Sequence, residues 1–157
     1  MSFDELKKTD ASSLPIGKLI SIIAKSQTIF LNHNLKDFGI SPTQLHVLFE
    51  IYNQADINQE KIANGCNINK GAVARNIKKL EDGGFVKREI DENNRRQNKV
   101  SLTSKGSETL NKSISILYQW EDEVFSGNEM KQKEQLQIAL KDLAIKSIQL
   151  NQRGEKQ

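Results

Sequence analysis

Asn69-Lys70-Gly71-Ala72-Val73-Ala74-Arg75-Asn76-Ile77-Lys78-Lys79-Leu80-Glu81-Asp82-Gly83-Gly84 is the stretch whose reading decides the fold. Asn69 is a good N-cap residue, and Val73, Ile77 and Leu80 recur at the spacing of one helical face. The pattern predicts a helix over residues 70–82, ended by the glycine pair. At about 100° per residue, the opposite face carries Gly71, Ala72, Arg75, Lys79 and Asp82, with Lys70, Asn76 and Lys78 on the flanks. From Lys70 to Leu80 there are four cations and no acid.

Upstream, Asn58 can cap a short helix with Ile62, Ala63 and Cys66 inward, followed by Gly65 and a turn through Asn67. Before it, Ser41, Pro42 and Gln44 form a capping box that starts another helix. Leu45, Leu48, Phe49 and Tyr52 are expected to line its inner face. A first long helix is predicted from Leu14 to Phe38, where Ile16, Leu19, Ile20, Ile23, Phe30, Leu31 and Leu35 recur at helical spacing. Ile22, Ala24 and Ile29 widen the stripe, so burial on more than one side is expected. Gly39 stops the helix.

Downstream the period changes from 3.6 to 2. Val86, Arg88 and Ile90 alternate with Lys87 and Glu89, Asp91-Glu92-Asn93-Asn94 has turn chemistry, and Val100 and Leu102 resume the alternation. This predicts a β-hairpin whose charged tip carries Arg95, Arg96 and Lys99. Thr103 then caps a fifth helix with Leu110, Ile114, Leu117 and Val124 inward. Asn128 caps a last one, striped by Leu136, Ala139, Leu140, Leu143 and Leu150. Arg153 to Gln157 are expected to fray.

The chain has 157 residues, 36% hydrophobic and 27% charged, enough for one real core. Aromatics are only 6%, so Ile and Leu must fill it. Cys66 is the single cysteine, which excludes an internal disulfide and a Cys-rich metal site and fits a reducing cytoplasm. The charged N-terminus predicts no secretory leader, and no run approaches the roughly 20 apolar residues of a membrane span. Net charge is only +3, but residues 58–103 hold ten Lys/Arg against six Asp/Glu, so the positive excess sits in the middle third. On charge alone, a solvated face is the better reading.

The order of elements adds the missing constraint. A short helix, a tight turn, a basic helix and a charged hairpin make a helix-turn-helix followed by a wing. The second helix then stands out as a rod that fits the major groove of B-DNA. Its free N-terminal N–H groups suit a phosphate.

Residues 40–106 resemble the MarR family of winged-helix regulators. The matching segments are Ile40-Ser41-Pro42-Thr43-Gln44, Asn58-Gln59-Glu60-Lys61-Ile62-Ala63, Lys70 to Arg88, Asn94-Arg95-Arg96, and Val100-Ser101-Leu102-Thr103-Ser104-Lys105-Gly106. The resemblance implies a mainly α fold with a small β-hairpin wing. It implies a DNA-binding lobe over residues 40–103, flanked by dimerisation helices over residues 1–39 and 104–157. It implies a cytoplasmic homodimer, a transcriptional repressor on an inverted repeat in double-stranded DNA, with recognition helices about 34 Å apart. Asn69, Lys70, Gly71, Ala72, Arg75, Asn76 and Lys79 would form the recognition-helix surface, and Asn94, Arg95, Arg96 and Lys99 the wing surface. Arg75 would meet the major groove, and Arg96 the minor groove, where narrow A·T stretches attract arginine. Asn94 stands where the family usually carries Asp, Ala72 and Ala74 where it often carries Ser or Thr, and Asn76 where it usually carries an apolar residue. Asn76 is a candidate reader of adenine. Phe30, His33, His46, Phe49 and Tyr52 are candidates for an effector pocket taking a small aromatic or anionic compound, against the plainer reading of core packing.

No metal, cofactor or membrane partner is expected. A winged helix that binds another protein is the competing interpretation. An enzyme would have to rely on Cys66 or Ser41 with His33 or His46, and the chain has no Gly-rich phosphate loop, metal triad or nucleophile elbow. Cys66 as an oxidant sensor is a weaker reading than Cys66 as a small buried hydrophobe.

Overall fold

The computed structural model describes residues 2–54, 57–90, 98–125 and 130–154. The helices are α1 (Phe3–Lys8), α2 (Ile16–Asn34), α3 (Pro42–Asn53), α4 (Gln59–Cys66), α5 (Lys70–Asp82), α6 (Ser104–Val124) and α7 (Met130–Gly154). The strands β1 (Ile57–Asn58), β2 (Val86–Ile90) and β3 (Asn98–Leu102) form an antiparallel sheet in the order β1-β3-β2. The architecture is thus mainly α with a small winged sheet.

Local chemistry sets most boundaries as the sequence predicts. The Ser41 hydroxyl accepts from the Gln44 N–H, and the Gln44 side chain returns to the Ser41 N–H, completing the capping box. Asn58 accepts from the Lys61 N–H, Asn69 from the Ala72 N–H, and Thr103 Oγ1 from the Gly106 N–H. Each cap satisfies one N–H that its helix leaves unpaired. Between α4 and α5, Asn67 adopts φ +51°, and the Ile68 N–H bonds back to the Ala63 carbonyl. That left-handed step turns the chain sharply enough to project α5.

The hairpin register pairs Val86 with Leu102, Arg88 with Val100 and Ile90 with Asn98. Residues 91–97, which include Asn94, Arg95 and Arg96, lie outside the described residues, as does the cap expected at Asn128. β1 was not predicted. Its two residues have too little pattern to read, and pairing of Ile57 with Val100 creates it.

One core runs from Leu31 to Ile116 and gathers Leu45, Val47, Leu48, Ile51, Ile62, Val73, Ile77, Leu80, Val86 and Val100. Val73, Ile77 and Leu80 are 0% exposed, and burying each contributes about 2 kcal/mol. Several inward assignments need correction. Phe49 and Tyr52 lie on the open side of α3 at 41% and 60% exposure, because Val47 and Ile51 share the buried face with Leu45 and Leu48. Ile90 and Val124 are exposed, and Ile116 and Ser113 take inward positions on α6. The first long helix is also shorter than expected. It starts at Ile16 after Pro15, which makes no capping bond, and ends at Asn34, and a 3-10 turn over Lys36–Phe38 leads to Gly39. Helix α7 continues to Gly154, so Arg153 and Gly154 are helical where fraying is expected, and residues 155–157 lie outside the described residues.

The chain forms two compact units, residues 1–118 and 119–157. Within the first, α2 buries only Leu31 and leaves Ile16, Ile20, Ile23 and Ile29 exposed. In the second, Leu136, Ile138, Leu140, Ile145, Ile148 and Leu150 of α7 are exposed. The apolar stripes expected to be covered on more than one side are therefore open in a single chain.

Ser113 is fully buried, and its Oγ has no hydrogen-bond partner among the described residues. A buried hydroxyl left unpaired is costly, so Ser113→Ala should stabilise the fold by about 1 kcal/mol. A rise in the urea midpoint checks this, and a fall would show that the hydroxyl has a stabilising partner.

Candidate nucleic-acid interface

Helix α5 owes its outward face to the burial of the other. With Val73, Ile77 and Leu80 in the core, Lys70, Gly71, Ala74, Arg75, Lys78, Lys79 and Asp82 are exposed. Ala72 is half-buried at the edge of the packed face rather than on the outer one, and Asn76, one turn on, is half-buried on a flank, as its spacing predicts.

Ion pairing then divides the cations. Lys70 Nζ lies 2.8 Å from Glu60 Oε1 of α4, and Lys78 lies 3.3 Å from Asp82 one turn on. Contact with Lys70 holds the Glu60 carboxyl below the usual range. By contrast, no hydrogen bond or ion pair joins the side chains of Arg75 or Lys79 to another described residue. These two lie at i and i+4, so their charges stack on one side of the rod. Gly71 lies beside this pair at ordinary contact distance, with no clash that requires a glycine. A Cβ there would lie 3.5 Å from the Arg75 guanidinium and 3.4 Å from the capping Asn69 Oδ1. Asn76 turns its amide back on its own helix, with Nδ2 donating to the Ala72 carbonyl at 2.9 Å.

Lys99 is not at the hairpin tip. It stands within β3, half-buried, opposite Glu89 of β2 and Asn58 of β1, because the paired part of the hairpin extends to Asn98. Glu89 also holds Lys87 at 2.7 Å.

The structure adds anchoring residues that periodicity does not reveal. Glu81, in the last turn of α5, receives Arg88 of β2 through Nε at 2.8 Å and through the terminal guanidinium nitrogen. The turn leaving α5 is clasped from the start of α6. The Thr103 N–H donates to the Phe85 carbonyl, Thr103 Oγ1 to the Gly84 carbonyl at 2.6 Å, and Lys105 Nζ to the Gly83 carbonyl at 2.8 Å. The Lys105 ammonium also sits 4.4 Å over the Phe85 ring. Gly84, at φ +74°, makes the turn, and Gly106 is buried against the Phe85 backbone.

Of the five pocket candidates, Phe30 is half-buried against the core and His33 is exposed. His46, Phe49 and Tyr52 recur every third residue along the open side of α3. A groove of about 650 Å³ opens elsewhere, beside Phe38, Phe85, Lys105 and Thr109, and none of the five lines it. Among the described residues, no group of His, Cys, Asp and Glu could hold a metal, and no helix is long and apolar enough to cross a membrane.

Burial, with the Glu50 carboxylate adding to it, pushes the Cys66 thiol up to about 11. Little thiolate, the reactive form, exists near neutral pH. Alkylation of Cys66 should be slow at pH 7 and should rise about tenfold per pH unit until about pH 11, by mass spectrometry. Fast modification at pH 7 would restore the sensing reading.

A sequence model of the MarR family matches residues 40–97. The HTH-type transcriptional regulator BilQ of Clostridium symbiosum is 30% identical over 123 residues, covering 78% of this chain and 85% of BilQ. Among solved structures, a MarR transcriptional regulator from Methanosarcina mazei Go1 is 31% identical with a TM-score of 0.81, over 86% of this chain and 97% of that one. The S. aureus MepR–DNA complex shares the fold at a TM-score of 0.77 and 20% identity, over 85% of this chain and 99% of that one. With the winged architecture and the open α5 face, these similarities lead to one conclusion: the chain belongs to the MarR family of helix-turn-helix transcriptional regulators.

Proposed function

We propose that the protein is a cytoplasmic homodimeric repressor that binds an inverted repeat in double-stranded DNA. Helix α5 enters the major groove, and Arg95 and Arg96 of the wing reach the adjacent minor groove. The observation that carries this reading is the open pair Arg75 and Lys79, on the side of α5 opposite its buried aliphatics. Arginine suits a guanine edge or a phosphate, and lysine a phosphate. Asn69, Lys70 and Gly71 bring the N-terminus of α5 close to the backbone. Ala72 and Asn76 lie at the margin of that surface, and Asn94 and Lys99 would add wing contacts to the DNA.

The exposed apolar faces of residues 1–39 and 104–157 support a second copy as their cover, since a monomer rarely leaves so many large aliphatics open. Two copies would set two α5 helices on successive turns of one DNA face. An aromatic or anionic effector at Phe30, His33, His46, Phe49 and Tyr52 is supported by the open Phe49 and Tyr52 side chains beside His46.

Selection of bound sequences from a random duplex pool tests the proposal. An enriched inverted repeat, with affinity falling steeply as salt rises, is expected. A pool that stays random, with binding indifferent to salt, would favour a protein-binding winged helix instead.

A further inference from the structure

We propose that Glu60 occupies the place of a DNA phosphate on Lys70, so that duplex binding proceeds by exchange of carboxylate for phosphate. The inference rests on the DNA-binding reading above and assigns an attenuating role to an acid within that surface.

Lys70 is the first residue of α5, where a cation opposes the helix dipole, and Asn69 already caps this end. Helix stability therefore gives no reason for a lysine there. Glu60 comes from the first turn of α4, where an acid suits the dipole. The two side chains meet at 2.8 Å across the turn, and remain 76% and 57% exposed. A pair so wet adds little to the fold and opens easily. It stands at the end of α5 where N–H groups and Lys70 would draw in a phosphate. A phosphate that takes Lys70 must displace Glu60 and then face its carboxylate. Glu60 thus weakens sequence-independent attraction and leaves Arg75 and Lys79 a larger share of the binding.

The test uses the full chain and a short labelled duplex of arbitrary sequence, followed by fluorescence anisotropy over a salt series. Glu60→Gln should tighten binding about two- to fivefold near 0.1 M salt and steepen the log–log salt dependence by up to about 0.9. Lys70→Gln should weaken binding, and Glu60→Gln should bring no gain in the Lys70→Gln background. Asp142→Asn, which breaks a similarly exposed pair with Lys146, makes the same charge change on α7 and should have no effect. All sites are exposed, so unchanged melting temperatures are expected. Unaltered affinity in Glu60→Gln overturns the exchange, as does an equal gain with Lys70 removed. If the unsubstituted chain ignores duplex at low salt, the DNA-binding reading falls as well. If it binds while Glu60→Gln stays flat, only the exchange falls.

Discussion

Gly106→Ala is expected to destabilise the fold by about 3 kcal/mol, although alanine is the better helix former by about 1 kcal/mol. The reason is contact, not propensity. A Cβ at Gly106 would lie 1.9 Å from the Phe85 carbonyl oxygen and 2.9 Å from its carbon. Both are backbone atoms that cannot swing aside. To relieve the clash, α6 must move away from the turn after α5, which strains the Thr103 bonds to Gly84 and Phe85 and exposes apolar neighbours. Urea denaturation reads the effect, with Ser104→Ala, at an exposed site two residues earlier, as the control. A Gly106→Ala midpoint within error of the parent would show that α6 can shift freely there.

Arg75→Ala should weaken binding to the selected DNA about tenfold to a hundredfold while leaving the melting temperature unchanged. The side chain is exposed and makes no hydrogen bond or ion pair with a described residue, so its loss costs the fold nothing. A base contact predicts relaxed preference at one position of each half-site. A phosphate contact predicts uniform weakening and a salt slope shallower by about one. Lys79→Ala should show the second pattern only. Full affinity in both variants would remove the outer face of α5 from the interface.

What could be read from the chain was what neighbouring residues decide. Ser41, Asn58, Asn69 and Thr103 cap helices because each side chain meets the N–H three residues on. The buried face of α5 follows from the spacing of Val73, Ile77 and Leu80. What stayed hidden was set between elements. β1 exists only by pairing with β3, and Lys70 meets a glutamate ten residues earlier, across a turn. Phe49 and Tyr52 have the composition of core residues, yet their angle on α3 faces them outward. Gly106 looks like a poor helix residue until the Phe85 backbone is placed against it. Among the site residues, Arg75 and Lys79 stand where periodicity put them. Lys99 does not, because sheet register decides its position, and Ala72, read as outer, is half-buried at the edge of the packed face.

The clasp of Thr103, Lys105 and Gly106 on residues 83–85 has a mechanical result. It ties the last turn of α5 to the start of α6, while Val73, Ile77 and Leu80 hold the helix, about 20 Å long, on the core along its length. A shift at the start of α6 therefore carries the end of α5 with it, so the two helices behave as one piece where they meet.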